Sequence, residues 1–329
     1  MLFARLSLIG TVLALCVVVL GAYVRLSDAG LGCPDWPGCY GQLTVPQSKT
    51  AIEKAQEIFP HSQLHTVKAW KEMAHRYLAG TLGLVVLAMF LTARDKRDHL
   101  QVNVILPSAL LGIIIFQALL GMWTVTLLLK PVIVTAHLMG GMTTLALLTW
   151  IAHRHWGQVV SNDISIKLRI IIRCALLILF AQIFLGGWTS ANYAALACTD
   201  FPTCHGEWIP PLDFKDAFHM IRALGQSAYG GNMGITALST IQWVHRMGAL
   251  VTLIYLSILA GLLLNQPAYR QLAMLLLLAV IAQVIIGIAN LVLQLPLVLA
   301  VAHNMGAALL VVIIIIINSK VTYGNSTKK

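Results

Sequence analysis

Residues 296–317 read PLVLAVAHNMGAALLVVIIIII, a run without any acidic residue, lysine or arginine. A stretch of about 20 apolar residues is long enough to cross the hydrocarbon core of a bilayer as a helix. Seven further runs of similar length precede it, at 6–25, 73–92, 103–125, 131–151, 169–190, 241–264 and 271–293. The sequence therefore predicts an all-α integral membrane protein with eight transmembrane helices.

The composition agrees with this fold class. Of the 329 residues, 58% are hydrophobic and only 10% are charged, whereas a soluble domain carries about 25% charged residues. The net charge of +10 does not indicate nucleic-acid binding, because the basic residues lie between the predicted spans. The first run, 6–25, has the position of a signal peptide but lacks a small-residue cleavage site after a short apolar core, and we predict that it is retained.

The short connections between the spans predict the orientation, because lysine and arginine near span ends mark the cytoplasmic side. We therefore expect both termini in the cytoplasm and the protein in the cytoplasmic (inner) membrane of a bacterium. The long connections, 26–72 and 191–240, are expected on the outer side. The basic residues that decide this are Arg94, Lys96, Arg97, Arg154, Lys167, Arg169, Arg270, Lys320, Lys328 and Lys329.

The two halves of the chain repeat each other. The stretch GCPDWPGCYG at 32–41 matches ACTDFPTCHG at 197–206. Similar matches follow at offsets of 165 to 170 residues. We expect two four-helix bundles, residues 1–160 and 161–329, that enter the membrane in the same sense as a parallel repeat. The other matching pairs are His75-Arg76 with His245-Arg246, Gln117 with Gln283, Gly121 with Gly287, and His137 with His303.

Four histidines lie inside the predicted spans, where ionisable residues are costly and usually functional: His75, His137, His245 and His303. Each lies near the outer start of its helix, so the four share one depth. Two facing imidazoles at one depth are what bis-histidine ligation of a heme iron needs. Hydrogen bonding between helices is the simpler explanation for a single histidine, and zinc fits two histidines per half poorly. We expect the rings to pair within each half, with pairing across the halves as the alternative.

The halves differ at one position beside these histidines. Glu72 lies one helical turn before His75 and shares its face, whereas Gln242 takes that place before His245. A carboxylate beside a heme edge can accept protons, orient water or stabilise a developing cation. The alternative is an acid at the start of span two, favoured there by the helix dipole, which leaves the Glu/Gln difference unexplained.

Arg76 and Arg246 follow two of the histidines directly. Both are candidates for charge-assisted hydrogen bonds to heme propionates. They are equally placed to reach lipid headgroups at the membrane interface, and the sequence does not decide between the two roles.

Two cysteine pairs lie in the long connections, Cys33 with Cys39 and Cys198 with Cys204. Both are expected on the oxidising side of the membrane, and we predict a disulfide in each. Closing so small a ring contributes roughly 2 kcal/mol in the chain-entropy model. We expect each to staple a loop over the heme pocket, with thiol redox exchange as the alternative role.

Together these residues resemble the heme A synthase family, over nearly the whole chain from Arg5 to about Ser319. The features are Glu72-x-x-His75-Arg76 on span two, histidines on spans two, four, six and eight, and the two Cys-x5-Cys loops. The family oxidises a porphyrin methyl group of heme O to the formyl group of heme A, which serves terminal oxidases. The resemblance thus implies an oxidoreductase with heme O as substrate, and contacts with heme O synthase and oxidase assembly factors.

The resemblance also implies a division of roles between the halves. His75 and His137 are expected beside the iron of the substrate heme, with Glu72 as the catalytic acid or base. His245 and His303 are expected to hold a heme b for electron transfer or structure. The heme sites are then expected near the outer face of the membrane.

Two other function classes are compatible with four intramembrane histidines. A di-heme b-type cytochrome would carry electrons, but it often places its hemes at opposite faces, whereas these four histidines are expected at one. A non-catalytic heme carrier would not need Glu72. A transporter fits less well, since no broken helix or midplane charge is evident.

Overall fold

The computed structural model describes residues 1–95, 104–157, 164–220 and 233–323. Within these ranges the chain is helical, apart from connections that contain two isolated β-bridges. The described residues form ten helices: α1 (Leu2–Leu26), α2 (Lys49–Ile58), α3 (Thr66–Asp95), α4 (Ile105–Thr126), α5 (Pro131–Trp156), α6 (Ile166–Ala191), α7 (Phe214–Ala217), α8 (Ile235–Leu264), α9 (Arg270–Val292) and α10 (Leu297–Tyr323).

Eight of these helices are long and apolar enough to cross a membrane: α1, α3, α4, α5, α6, α8, α9 and α10. The predicted all-α fold and number of spans are therefore confirmed. The helices extend beyond the apolar runs, most clearly at the starts of α3 and α8, which lie at Thr66 and Ile235 rather than at 73 and 241. The predicted start of the third span, residue 103, lies outside the described residues.

The chain divides into two compact units, Met1–Thr144 and Leu145–Lys329, with the division inside α5. In the first unit α3 packs against both α1 and α4. In the second unit each of α6, α8, α9 and α10 packs against two others, so that these four helices form a closed ring. The predicted boundary at residue 160 lies outside the described residues, and the parallel-repeat arrangement stays a prediction.

The backbone repeats between the halves even in the turns. Helix α4 ends where Leu129 N–H donates to the Thr124 carbonyl (2.8 Å), and α9 ends where Leu295 N–H donates to Asn290 (2.7 Å). Leu129 and Leu295 have φ of 57° and 60°, a conformation that non-glycine residues seldom adopt. These 6→1 turns satisfy carbonyls at the helix ends and connect each helix directly to the next.

The first long connection contains a helix that the sequence analysis did not predict. Ser48 caps α2, since its hydroxyl accepts a hydrogen bond from Ala51 N–H (3.2 Å). Ala55 of α2 is buried in a cluster with Tyr40, Val45 and Met73. The connection therefore packs against the N-terminal part of α3. His75 lies on the same helix, two residues after Met73.

Candidate heme-binding site

In the first unit, each of the two histidines packs against a glycine of a neighbouring helix. A Cβ atom added to Gly21 of α1 would lie 2.9 Å from Cε1 of His75 on α3. A Cβ added to Gly121 of α4 would lie 3.5 Å from Cε1 of His137 on α5. At Gly21 a Cβ atom would force the ring to shift, whereas the distance at Gly121 is that of an ordinary contact. His75 and His137 lie in the same unit and interact electrostatically.

The second unit repeats this arrangement. A Cβ added to Gly186 of α6 would lie 3.1 Å from Cε1 of His245 on α8, and one added to Gly287 of α9 would lie 3.0 Å from Cε1 of His303 on α10. His245 and His303 interact electrostatically in turn. Pairing of the histidines within each unit, which the sequence analysis preferred, stays a prediction.

The surroundings of the imidazoles are compatible with binding of an iron through Nε2, the ring nitrogen farther from the backbone. Nδ1 of His75, His137 and His303 is buried without a hydrogen-bond partner, yet each residue as a whole is partly accessible. The accessible surface therefore lies away from Nδ1, which leaves Nε2 as the ligand atom available to a metal. Two such rings in each unit fit a bis-histidine heme, and the assignment of ligands stays a prediction.

Glu72 is buried and held by two partners. Its Oε2 accepts a hydrogen bond from Cys33 N–H (2.9 Å), and its Oε1 forms an ion pair with Arg76. As the seventh residue of α3, it lies beyond the first turn of the helix. The alternative role as an acid at the helix start is therefore not supported by its position.

Gln242 makes the equivalent contact in the second unit. Its Oε1 accepts a hydrogen bond from Cys198 N–H, and its Nε2 donates to the Ala195 carbonyl (2.6 Å). The two units therefore place the same kind of acceptor against the same backbone amide. They differ in charge, and only the first has a carboxylate one turn from its histidine.

Both candidate arginines bind the backbone of a cysteine loop. We call residues 32–41 the first disulfide loop and residues 197–206 the second. Arg76 Nη1 donates to Asp35 O (2.9 Å) and to Gly38 O. Arg246 donates to Thr203 O (2.7 Å) and to Cys198 O (3.0 Å). A guanidinium has five donors, so contact with a heme propionate stays a prediction for either residue.

Both predicted disulfides are present, with S–S distances of 2.03 Å for Cys33–Cys39 and 2.01 Å for Cys198–Cys204. In each loop an aspartate carboxylate accepts hydrogen bonds from backbone amides of the same loop. Asp35 accepts hydrogen bonds from Tyr40 N–H (2.6 Å) and Gly41 N–H (2.9 Å). The loops are therefore ordered around a carboxylate as well as a disulfide.

In the second disulfide loop Asp200 takes the place of Asp35. Hydrogen bonds from Thr203 Oγ1 (2.6 Å) and Gly206 N–H (2.9 Å) hold the pKa of Asp200 well below its usual range. Because the folded-state pKa is lowered, the stabilisation that this carboxylate contributes is present above the ordinary aspartate pKa and is lost as the pH falls toward the folded-state value. The loop thus keeps its internal hydrogen bonds at neutral pH.

Sequence reasoning missed a glutamine that contacts a histidine. Gln182 Nε2 lies 3.1 Å from Nδ1 of His245 and donates to the His245 carbonyl (3.1 Å). A signal was present, because Gln182-x-x-x-Gly186 has the same spacing as Gln117-x-x-x-Gly121 and Gln283-x-x-x-Gly287. The internal repeat matches Gln117 with Gln283 and Gly121 with Gly287, but the match alone does not give the glutamines a role.

We expect Gly287→Ala to displace the His303 ring, whereas Gly121→Ala should be tolerated. The added methyl group at 287 would lie 3.0 Å from Cε1, closer than most Cβ contacts, and the packed ring would have to shift. At 121 the distance is an ordinary 3.5 Å. Heme content and low-spin electron paramagnetic resonance of the purified variants measure this. Gly287→Ala should weaken heme retention about tenfold or more, and equal behaviour of the two variants would contradict the contact.

Comparison with known proteins agrees with this geometry. Residues 4–315 match the family model COX15-CtaA, described as cytochrome oxidase assembly protein. The chain is 43% identical over 316 residues to the heme A synthase of Shewanella oneidensis, covering 95% of this chain and 94% of that protein. It is 27% identical over 316 residues to the heme A synthase of Wolbachia pipientis subsp. Culex pipiens, covering 90% of each. The chain therefore belongs to the COX15-CtaA family of cytochrome oxidase assembly proteins, among the heme A synthases.

Proposed function

We propose that this multi-pass membrane oxidoreductase converts heme O to heme A by oxidising a porphyrin methyl group to a formyl group. The observation that carries the proposal is the buried Glu72, one turn before His75, at a position where the second unit has the neutral Gln242. Each of two successive hydroxylations would replace a C–H bond of the methyl group by a C–O bond and remove two electrons, which an external oxidant would accept. The resulting gem-diol would lose water to give the formyl group.

In the first unit, His75 and His137 would hold the substrate heme from its two sides. Its iron supplies the redox chemistry when the heme is bound. The protein contributes position and charge: Cys33 N–H and Arg76 fix the orientation of the Glu72 carboxylate. A fixed carboxylate can accept a proton or stabilise positive charge that develops beside it.

In the second unit, His245 and His303 would hold a heme b. The neighbouring carboxamide of Gln242 is bound on both of its polar atoms, to Cys198 N–H and the Ala195 carbonyl, which leaves it without a role in proton transfer. A heme with two fixed histidine ligands and no acid beside it suits electron transfer or a structural role.

The cellular setting follows from the same proposal. Both termini would lie in the cytoplasm, with the disulfide loops and the heme sites toward the outer face of the bacterial inner membrane. Heme O synthase and oxidase assembly factors would be its partners, because the substrate and the product are both apolar hemes that need protein acceptors.

Heme extraction from cells that make heme O tests the proposal. Hemes would be separated by reversed-phase chromatography with mass detection, with and without this protein. We expect heme A to appear only in its presence. Heme b bound to the purified protein, with no heme A at any oxygen supply, would favour the di-heme cytochrome or the heme carrier instead.

A further inference from the structure

A glutamine packs into a glycine notch beside three of the four candidate ligands, and the fourth has neither residue. In the second unit, Gln182 of α6 lies over Gly248 of α8, where a Cβ atom would overlap its Oε1. This places its carboxamide against Nδ1 and the carbonyl of His245. The glycine lies three residues after the histidine, so the notch and the ligand share one helical turn.

The same notch recurs beside His303. Gln283 of α9 packs over Gly306, three residues after the histidine, and its Nε2 donates to the His303 carbonyl (2.8 Å). A Cβ atom on Gly306 would overlap the carboxamide. Both ligands of the second unit are therefore tied to a neighbouring helix at their own turn.

In the first unit only His137 has a glutamine in such a notch, without a hydrogen bond from the glutamine to the histidine. Gln117 of α4 packs over Gly140, three residues after His137, and its buried Nε2 has no partner in the described part of the chain. A buried carboxamide that leaves a donor unpaired is costly. Its presence here, in the same notch as its two counterparts, indicates a function beyond packing.

At His75 both parts of the notch are replaced. The internal repeat aligns Val17 with Gln182, and Leu78 with Gly248. Leu78 and Val17 have no carboxamide to offer to His75. Nδ1 of His75, like that of His137 and of His303, is buried without a hydrogen-bond partner in the described part of the chain. Both the glutamine and the glycine are therefore replaced beside one of the four candidate ligands, His75.

This difference bears on how firmly each ring holds a metal. By a half-turn of its terminal bond, which exchanges the hydrogen bond to the histidine carbonyl for one to the ring, a carboxamide can present its oxygen to an imidazole N–H. A partner of this kind fixes the tautomer and orientation of the ring and makes it a stronger ligand, and its loss typically weakens metal binding about 10- to 100-fold. The ligand without such support is the one that dissociates first.

We propose that His75 is the exchangeable ligand of the substrate heme, and that Gln117, Gln182 and Gln283 are positioning residues for the three permanent ligands. The inference rests on the proposed function, which gives the first unit a heme. Release of His75 would leave a position on the iron that a small neutral diatomic molecule could occupy. Glu72 lies one turn before His75 on the same helix face.

Carbon monoxide binding to the reduced, heme-loaded full-length protein in detergent tests the inference. In the wild type we expect carbon monoxide to bind about one heme of the two. In His245→Ala, where the second heme is lost, it should bind all of the heme that remains. The double variant Val17→Gln/Leu78→Gly restores the notch and should weaken carbon monoxide binding about 10- to 100-fold. Gln182→Val/Gly248→Leu should make the second heme reactive as well.

The matched control is Val12→Gln/Leu84→Gly, the same two substitutions on the same two helices at side chains that are 56% and 68% exposed. It should bind carbon monoxide as the wild type does. Reaction of both wild-type hemes, or of neither, overturns the assignment of His75 even if the double variants fail to fold. If heme A still forms in such a case, the proposed function stands and this inference alone falls. A first unit that holds no heme, shown by unchanged heme content in His137→Ala, overturns both.

Discussion

Glu72→Gln is expected to leave both hemes bound and to abolish the formation of heme A. The substitution removes a negative charge one turn from His75 while it keeps the size of the side chain. A positioned acid or base typically contributes about 10²- to 10⁴-fold to a rate, so heme A should fall by at least about 100-fold. Chromatography of the extracted hemes measures the product, and the absorbance of the purified variant measures bound heme.

The second unit shows why this variant should fold. There the glutamine at the equivalent position accepts from the Cys198 amide and donates to the Ala195 carbonyl. A glutamine at 72 can keep the corresponding bond from Cys33 N–H, and Arg76 retains its bonds to the first disulfide loop. The matched control is Gln242→Glu, which should not raise heme A formation. Normal heme A production by Glu72→Gln would remove this residue from the mechanism.

His245→Ala is expected to lose the heme b signal. The substitution removes one of two imidazole ligands and leaves Gln182 without the ring that it contacts. Low-spin bis-histidine heme requires both rings, so the spectral signature should vanish and heme b content should fall to that of the first unit alone. The pyridine hemochrome of the purified protein gives the content, and electron paramagnetic resonance gives the ligation.

His61→Ala serves as the control for this loss, because His61 is exposed in the connection between α2 and α3. It should retain the full heme content. An unchanged spectrum in His245→Ala would mean that this histidine is not a ligand, and the pairing of His245 with His303 would have to be abandoned.

The eight spans could be predicted because a bilayer demands long apolar runs, and hydropathy measures that property directly. The ends of the helices could not. At the start of α8, Thr236, Ser239 and Thr240 lower the hydropathy, yet Thr240 Oγ1 donates to the Thr236 carbonyl (2.8 Å) and the helix continues. Helix α2 could not be predicted for a related reason. It has only ten residues, and its sequence signals are limited to the N-cap Ser48 and one packed face.

The candidate ligands could be predicted because each of the two intramembrane histidines in the first half has a counterpart at the matching position of the second half. The glycines that receive the rings could not, because their role depends on the rotation of one helix against another, which sequence does not give. The spacing of Gln182 to Gly186 is a sequence signal that could identify this glutamine. However, the repeat aligns Gln182 with Val17, so a comparison of the two halves for identical residues does not select it.

Glu72 is bound by the main chain of Cys33 and not by its side chain. Every residue other than proline carries a backbone N–H, so replacing Cys33 by serine or alanine removes the disulfide but leaves this donor in place. An alanine scan at Cys33 would therefore report the loss of the disulfide while the contact to Glu72 survives. Only a proline, or an ester in place of the peptide bond, would expose what this backbone position contributes.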